Sequence, residues 1–238
     1  DIRADIAYYR RAFADGPRDL LELGTGAGRI GIPLAEEGHR VVGLDNVAEM
    51  LSRARARAAR TGAASIRFVH SDMRSFALEC SFDAVLLPFN GLAHLHSLED
   101  IQSCFGCVRE HLRPEGRLVI DIFNPDLRYL SGRRPAEQRG TFEYFGPNGQ
   151  WCSVKETTVY DEASQLNYVT WHYRCGRKRF SRTVGIRVFF PQELEALLRL
   201  GGFRVTAREG NYSGEPFHSK SPKQLLTAVP VGSPPKGP

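Results

Sequence analysis

The chain has 238 residues, 42% of them hydrophobic and 25% charged, which supplies a substantial core and excludes a disordered or fibrous protein. Its 32 Lys and Arg against 27 Asp and Glu leave a formal charge of +5; this surplus reads as Arg scattered through the chain and not gathered into a basic block, hence as a solvated surface. No apolar run has the length of a membrane span and no signal-peptide pattern opens the chain, so a cytoplasmic location without a membrane partner is expected.

Residues 2–13 carry apolar positions at helical spacing and end at Asp15, Gly16 and Pro17. Strand and helix then take turns: a strand over 18–23, a helix over 29–37, a strand over 40–45, a helix over 47–60, strands over 66–70 and 82–87, a helix over 98–112, and a strand over 117–123 introduced by the turn "RPEG". Such alternation predicts parallel strands with crossover helices, a doubly wound α/β sheet. Residues 128–150 read as a loop, and three half-buried antiparallel strands follow over 151–160, 165–173 and 178–189. A helix over 191–200 and strands over 203–208 and 223–229 return to the first pattern, and the Pro/Gly-rich 230–238 reads as a disordered tail. The expected organisation is a core of 1–127 and 190–229 interrupted by an antiparallel β insertion over 128–189. Five cysteines without regular spacing argue against a disulfide framework, and the pair Cys104 and Cys107 reads as two helix-face thiols.

The stretch "LLELGTGAGRI", from Leu20 to Ile30, ends an apolar strand in Gly24, Gly26 and Gly28 and then enters a helix. Glycines there place bare backbone N–H groups and a helix N-terminus beside whatever binds, since any Cβ would keep a ligand from the backbone. Arg29 stands where a dinucleotide fingerprint has its third glycine, so G-x-G-x-x-G fails and the spacing is G-x-G-x-G. Asp45 closes the second strand, where a carboxylate can accept from both hydroxyls of a ribose. Asp72 follows the third strand, placed to accept from an adenine amino group while the Met73 N–H donates to the ring; a turn cap is its competing reading. All three signals fall at carboxyl ends of consecutive strands, the edge at which open sheets bind ligands.

At these residues the chain resembles the class I S-adenosylmethionine-dependent methyltransferases. The resemblance runs through E-x-G-x-G-x-G at Glu22 to Gly28, Asp45 with Asn46 and Met50, "SDMR" at Ser71 to Arg74, "LPFNGLAHL" at Leu87 to Leu95, "LRPEGRLVIDIFNP" at Leu112 to Pro125, "FPQELEALLRLGGF" and "SPKQLLTAVP". It implies a Rossmann-like seven-stranded sheet with its last strand antiparallel. S-adenosylmethionine would lie over the glycine loop and leave as S-adenosylhomocysteine; no metal is implied. Gly24, Thr25 and Gly26 would approach its methionine part, Asp45 the ribose, and Asp72 with Met73 the adenine. Glu22, Gly28, Arg29, Asn46, Met50, Pro88, Phe89 and Asn90 complete the expected cofactor set. Leu87, Pro88, Phe89 and Asn90 depart from the Asn/Asp-Pro-Pro-aromatic motif of enzymes that methylate planar amide or nucleobase nitrogens.

The His in "FNGLAHL" points to the acceptor chemistry. His94 follows the fourth strand, and an imidazole titrating near neutrality suits removal of a proton from an amine; cofactor contact or helix capping is its competing reading. Aromatic, small residues, then His resembles the small-molecule amine N-methyltransferase branch, amino-sugar enzymes included, in which an antiparallel insertion forms a wall or lid over the acceptor. Tyr9, Asn124, Trp171 and Tyr212 are the expected substrate contacts, with strand packing the competing reading for the aromatics. The expected function is methyl transfer to a small amine; the alternatives are a small-molecule O-methyltransferase, an RNA-modifying enzyme prompted by "SGRRP" and "CGRKRFSR", and a non-catalytic cofactor sensor. Without a separate RNA-binding module, nucleic acid is not the expected partner. Sequence leaves monomer and homodimer both open.

Overall fold

The structure, a computed structural model, describes residues 4–131, 142–146 and 149–232. It divides into two compact units, one of Asp1–Leu92, Ser97–Asn124 and Pro191–Pro238, the other of Ala93–His96 and Pro125–Phe190. The expected tail over 230–238 falls largely outside the described residues.

The first unit is an α/β layer. Helix α1 (Ala4–Ala12) precedes β1 (Asp19–Leu23), α2 (Gly31–Glu36), β2 (Arg40–Asp45), α3 (Ala48–Thr61), β3 (Ile66–His70) and β4 (Phe82–Leu87). A 3-10 turn (Gly91–His94) leads to α4 (Leu98–His111) and β5 (Leu112–Phe123). Seven strands line up as β10-β11-β5-β4-β1-β2-β3, where β10 is Phe203–Glu209 and β11 is Lys223–Pro230. Strands β1 to β5 run parallel; β11 is antiparallel to both of its neighbours, as the resemblance implies. The order reverses between β1 and β4, which makes their carboxyl ends the switch point where such sheets take ligands. The apolar strands β1 and β4 are buried almost throughout, as strands covered on both faces must be. Their core includes Tyr9, Leu20, Ile30, Leu34, Val41, Leu86, Val119 and Leu225.

Local chemistry sets the element ends. The good helix formers of α3 run until Gly62, which closes the helix at φ +72°, and Ser97 caps α4 by accepting from the Asp100 N–H at 3.1 Å. Helix α2 begins at Gly31, two residues later than expected, because the chain through Gly28 is still in a left-handed turn. "RPEG" is an excursion inside β5: Leu112 pairs with Phe82 and Arg117 with Ala84, so four residues bulge opposite Asp83.

The second unit holds a short helix α5 (Leu127–Leu130) and an antiparallel sheet ordered β6-β7-β8-β9, from Phe142–Phe145, Trp151–Asp161, Leu166–Cys175 and Lys178–Arg187. Strand β6 corrects the reading of 128–150 as loop; four residues between breakers leave no periodicity to detect. Cys152 and Cys175 lie directly opposite each other on β7 and β8 and form a disulfide, which cysteine spacing alone does not reveal. Cys80, Cys104 and Cys107 remain thiols. Helix α6 (Pro191–Leu200) returns the chain to the first unit with Pro at its first position, where a missing N–H is tolerated.

Candidate active site

All three loop glycines take positive φ, +69° at Gly24, +54° at Gly26 and +72° at Gly28. An L side chain at any of them would cost about 1–2 kcal/mol, and at Gly28 a Cβ would also lie 2.7 Å from Ile32. A Cβ on Gly26 would meet the Met50 methyl at 3.4 Å, and one on Gly24 the Met73 methyl at 3.7 Å. Two polarizable thioethers therefore flank a strip of bare backbone.

Glu22 locks the loop from below. Its Oε2 accepts from the Thr25 hydroxyl at 2.6 Å and from the Gly31 N–H at 2.9 Å. Burial raises the Glu22 pKa to about 7 against the pull of those two bonds. Gly31 permits the approach, since a Cβ there would sit 2.6 Å from the same oxygen. Thr25 is thus committed under the loop, its N–H also bound to the Leu44 carbonyl at 2.9 Å. Asp45 ties loop to helix: Oδ2 accepts from the Gly26 N–H at 2.7 Å and Oδ1 from the Val47 N–H at 2.9 Å. Each of its oxygens keeps a second lone pair for a ligand hydroxyl.

The end of β4 is held by a carboxylate that the sequence reading passed over. Asp121, fully buried in β5, accepts from the Lys223 ammonium at 2.8 Å, the Tyr212 hydroxyl at 2.6 Å and the Phe89 N–H at 3.0 Å. Its backbone carbonyl accepts from the Asn90 N–H, and the Asn90 side chain accepts from the Phe123 N–H at 2.7 Å. These bonds hold Phe89 and Asn90 at φ +47° and +64°, a strained conformation for non-glycine residues that concentrates at functional sites. Pro88, just before them, is buried. The Phe89 ring stays 55% exposed under two cations, Arg29 at 4.8 Å and Lys223 at 5.3 Å. Arg29 in turn pairs with the buried Asp5 of α1.

A scan against family models matches residues 20–116 to a methyltransferase domain family. The chain is 30% identical over 200 residues to the "Putative methyltransferase YqeM" of Bacillus subtilis (strain 168), covering 79% of this chain and 75% of that protein. It is likewise 30% identical over 211 residues, 89% of this chain and 80% of the relative, to the dTDP-3-amino-3,6-dideoxy-alpha-D-glucopyranose N,N-dimethyltransferase of Streptomyces fradiae. The chain belongs to the class I S-adenosylmethionine-dependent methyltransferases. In fold it is similar to the CcbJ methyltransferase from Streptomyces caelestis, with a TM-score of 0.82 and 23% identity over 98% of this chain and 91% of the other.

In this methyltransferase the glycines, Asp45, Met50, Met73 and the Pro88–Asn90 turn gather at the carboxyl ends of β1 to β4. Asn46 is exposed beside them, its carbonyl bonded to His70. Asp72 already serves as the turn cap, accepting from the Arg74 N–H at 2.9 Å, and Arg74 grips both its oxygens and lowers its pKa. Tyr9, expected at the acceptor, is instead fully buried in the core, and burial together with the Asp121 charge pushes its phenol pKa up. Tyr8, buried in the same cluster, packs on Tyr212 at 6.1 Å, and burial with the neighbouring Glu209 carboxylate pushes its phenol pKa up. Asn124 spends its amide on the Ser221 carbonyl at 2.9 Å and so ties two loops. His94 and Trp171 belong to the second unit. His94 ends the 3-10 turn after β4 and is exposed; the Trp171 indole donates to Glu156 at 2.9 Å. Of the residues missed, Asp121 left a readable trace, a lone carboxylate in the apolar run "RLVIDIF". Lys223, Asp5 and Glu209 left none, because their partners are remote in sequence.

Among the described residues no group of three or more His, Cys, Asp or Glu side chains converges as a metal site, and no helix is long and apolar enough to cross a membrane.

Proposed function

We propose that this enzyme methylates an amine nitrogen of a small molecule, with the glycine strip as the cofactor cradle. The observation carrying the cradle is the run of three left-handed glycines, of which Gly24 and Gly26 set bare backbone against the Met73 and Met50 methyls while Gly28 lies against Ile32. That strip fits S-adenosylmethionine, which when bound supplies an electrophilic methyl on positively charged sulfur. In this reading Asp45 receives the ribose hydroxyls, Met50 and Met73 enclose the adenine, and the Asp72–Met73 turn lies at its edge. Arg29 and the backbone of Gly24 to Gly26 face the amino-acid end.

The protein's share of such a displacement is position and dryness, since the methyl is already activated. An ammonium must first lose a proton to expose its lone pair, and His94 is the residue we assign to accept it. The antiparallel sheet, with Trp171, is the proposed acceptor wall. The likeness to an amino-sugar N,N-dimethyltransferase over most of both chains supports nitrogen as the target. A panel of amino sugars, other primary and secondary amines, and phenols, assayed with methyl-labelled cofactor, tests the proposal. Label transferred to amines supports it; label transferred only to phenols overturns it.

A further inference from the structure

The charge surplus is not spread as the composition suggests. From Leu166 to Arg187, the hairpin of β8 and β9, the sequence has six Lys or Arg and no Asp or Glu. The whole chain exceeds neutrality by five, so everything outside this hairpin carries one more acid than base.

Arg174, Arg177, Lys178, Arg179 and Arg182 are all exposed, as is Lys155 on the neighbouring β7, and among the described residues none of the six has an ion-pair partner. Nearby carboxylates are engaged or distant. Glu156 accepts from Trp171 and Tyr129, Asp161 from Ser164, and Glu143 stands two strands away from Arg174 across Ser153.

An edge strand often carries cations that discourage pairing with other chains, and β9 is an edge. That explanation does not reach Arg174, which lies on an inner strand directly opposite Arg179. Like charges facing each other across a ladder destabilise it, so the sheet keeps this pair against its own stability. Nor does it explain Phe180. This ring is 46% exposed, stacked on Tyr173 at 4.7 Å and 6°, and alternation along β9 puts Lys178 and Arg182 on its side of the sheet. Beside Arg174 and Arg179 on the other face runs a polar row, Thr157, His172 and Ser181, joined by hydrogen bonds of 2.8 and 3.0 Å.

We propose that the β8–β9 hairpin binds single-stranded nucleic acid, its cations taking the phosphates and the Phe180–Tyr173 platform a base. Guanidinium forks match phosphate oxygens, and a flat aromatic flanked by cations favours a stacked base over an acidic polypeptide or a lipid surface. The surface shares its sheet with the proposed acceptor wall, Arg182 lying opposite Trp171, and its test reads binding of nucleic acid and not methyl transfer.

Fluorescence anisotropy of the full chain with labelled oligothymidine and oligouridine of about 12 nucleotides, titrated between about 50 and 200 mM salt, tests the proposal. Binding should weaken with salt, and the double variant Arg174→Ala/Arg179→Ala should flatten the log–log slope by about 1.4 without lowering the melting temperature. Phe180→Ala should lose about tenfold in affinity at unchanged slope. Arg174→Ala alone should weaken binding, whereas Arg53→Ala, which removes the same single charge from the Glu49 pair on α3, should leave affinity unchanged. Absence of salt-dependent binding overturns the proposal, as does loss from Arg53→Ala equal to that from Arg174→Ala. Polyglutamate or anionic vesicles bound as tightly, with Phe180→Ala silent, would reassign the surface to another kind of anion.

Discussion

The glycine-loop edge of the first unit and the β8–β9 hairpin of the second treat charge in opposite ways. At the loop, Glu22, Asp45 and Asp121 each accept two or more hydrogen bonds, and Arg29 and Lys223 each lie against a carboxylate and an aromatic ring. On the hairpin Arg174, Arg177, Lys178, Arg179 and Arg182 face solvent, and among the described residues they pair with no carboxylate. Groups held by neighbours are fixed before a ligand arrives, so binding spends little free energy on ordering them. Groups held by nothing keep their long-range attraction and their freedom, which suits recruitment. The first arrangement belongs to chemistry that needs sub-ångström placement, the second to capture.

The comparison breaks most visibly at His94, which lies in the second unit while the cradle lies in the first. His94→Ala is expected to lower turnover about 10²- to 10⁴-fold while calorimetric affinity for S-adenosylhomocysteine stays as it was; an unaltered rate removes it as the proton acceptor. Next in size, reducing the Cys152–Cys175 bond, or the variant Cys152→Ser, should destabilise the antiparallel sheet by about 3 kcal/mol and leave homocysteine-cofactor affinity intact. A parallel loss of affinity in thermal and calorimetric titrations would mean that the loop depends on that sheet.

Glu22 sharpens the comparison through pH. Its native pKa of about 7 stands above the ordinary 4.5, so the native state holds the extra proton. Its contribution to stability is therefore complete below about pH 4.5 and lost as pH rises through about 7, roughly 3 kcal/mol in all. Glu22→Gln, which keeps the acceptor oxygen for Thr25 and Gly31, should abolish this slope in denaturant unfolding measured from pH 5 to 8. An identical slope in the variant refutes the assignment. Smallest is Asp45→Ala, expected to weaken cofactor affinity by about 10- to 30-fold through two lost ribose bonds and to loosen Gly26; unchanged affinity in calorimetry would detach Asp45 from the ribose.

Much of the fold was legible because its signals are local. Runs such as "RVVGLD" and "FDAVLL" announce buried parallel strands, and glycine spacing marks the cradle before any coordinate is known. What escaped depends on register. Cys152 and Cys175 become neighbours only once β7 and β8 are aligned, and Arg174 becomes a like-charge partner of Arg179 only when β9 is added. Lys223 reaches Asp121 across 102 residues, a separation no window or motif spans. Tyr9 escaped because nothing local marks it as core: it is buried there beside Tyr8, whose ring also packs on Tyr212.

The antiparallel return of β11 also fixes a timetable. A ribosome releases the glycine loop, β4 and Asp121 long before Lys223 is joined to the chain, and until then that carboxylate has no ammonium to bury against. The turn at Phe89 and Asn90 therefore cannot settle until the 102 residues that separate Asp121 from Lys223 have been added.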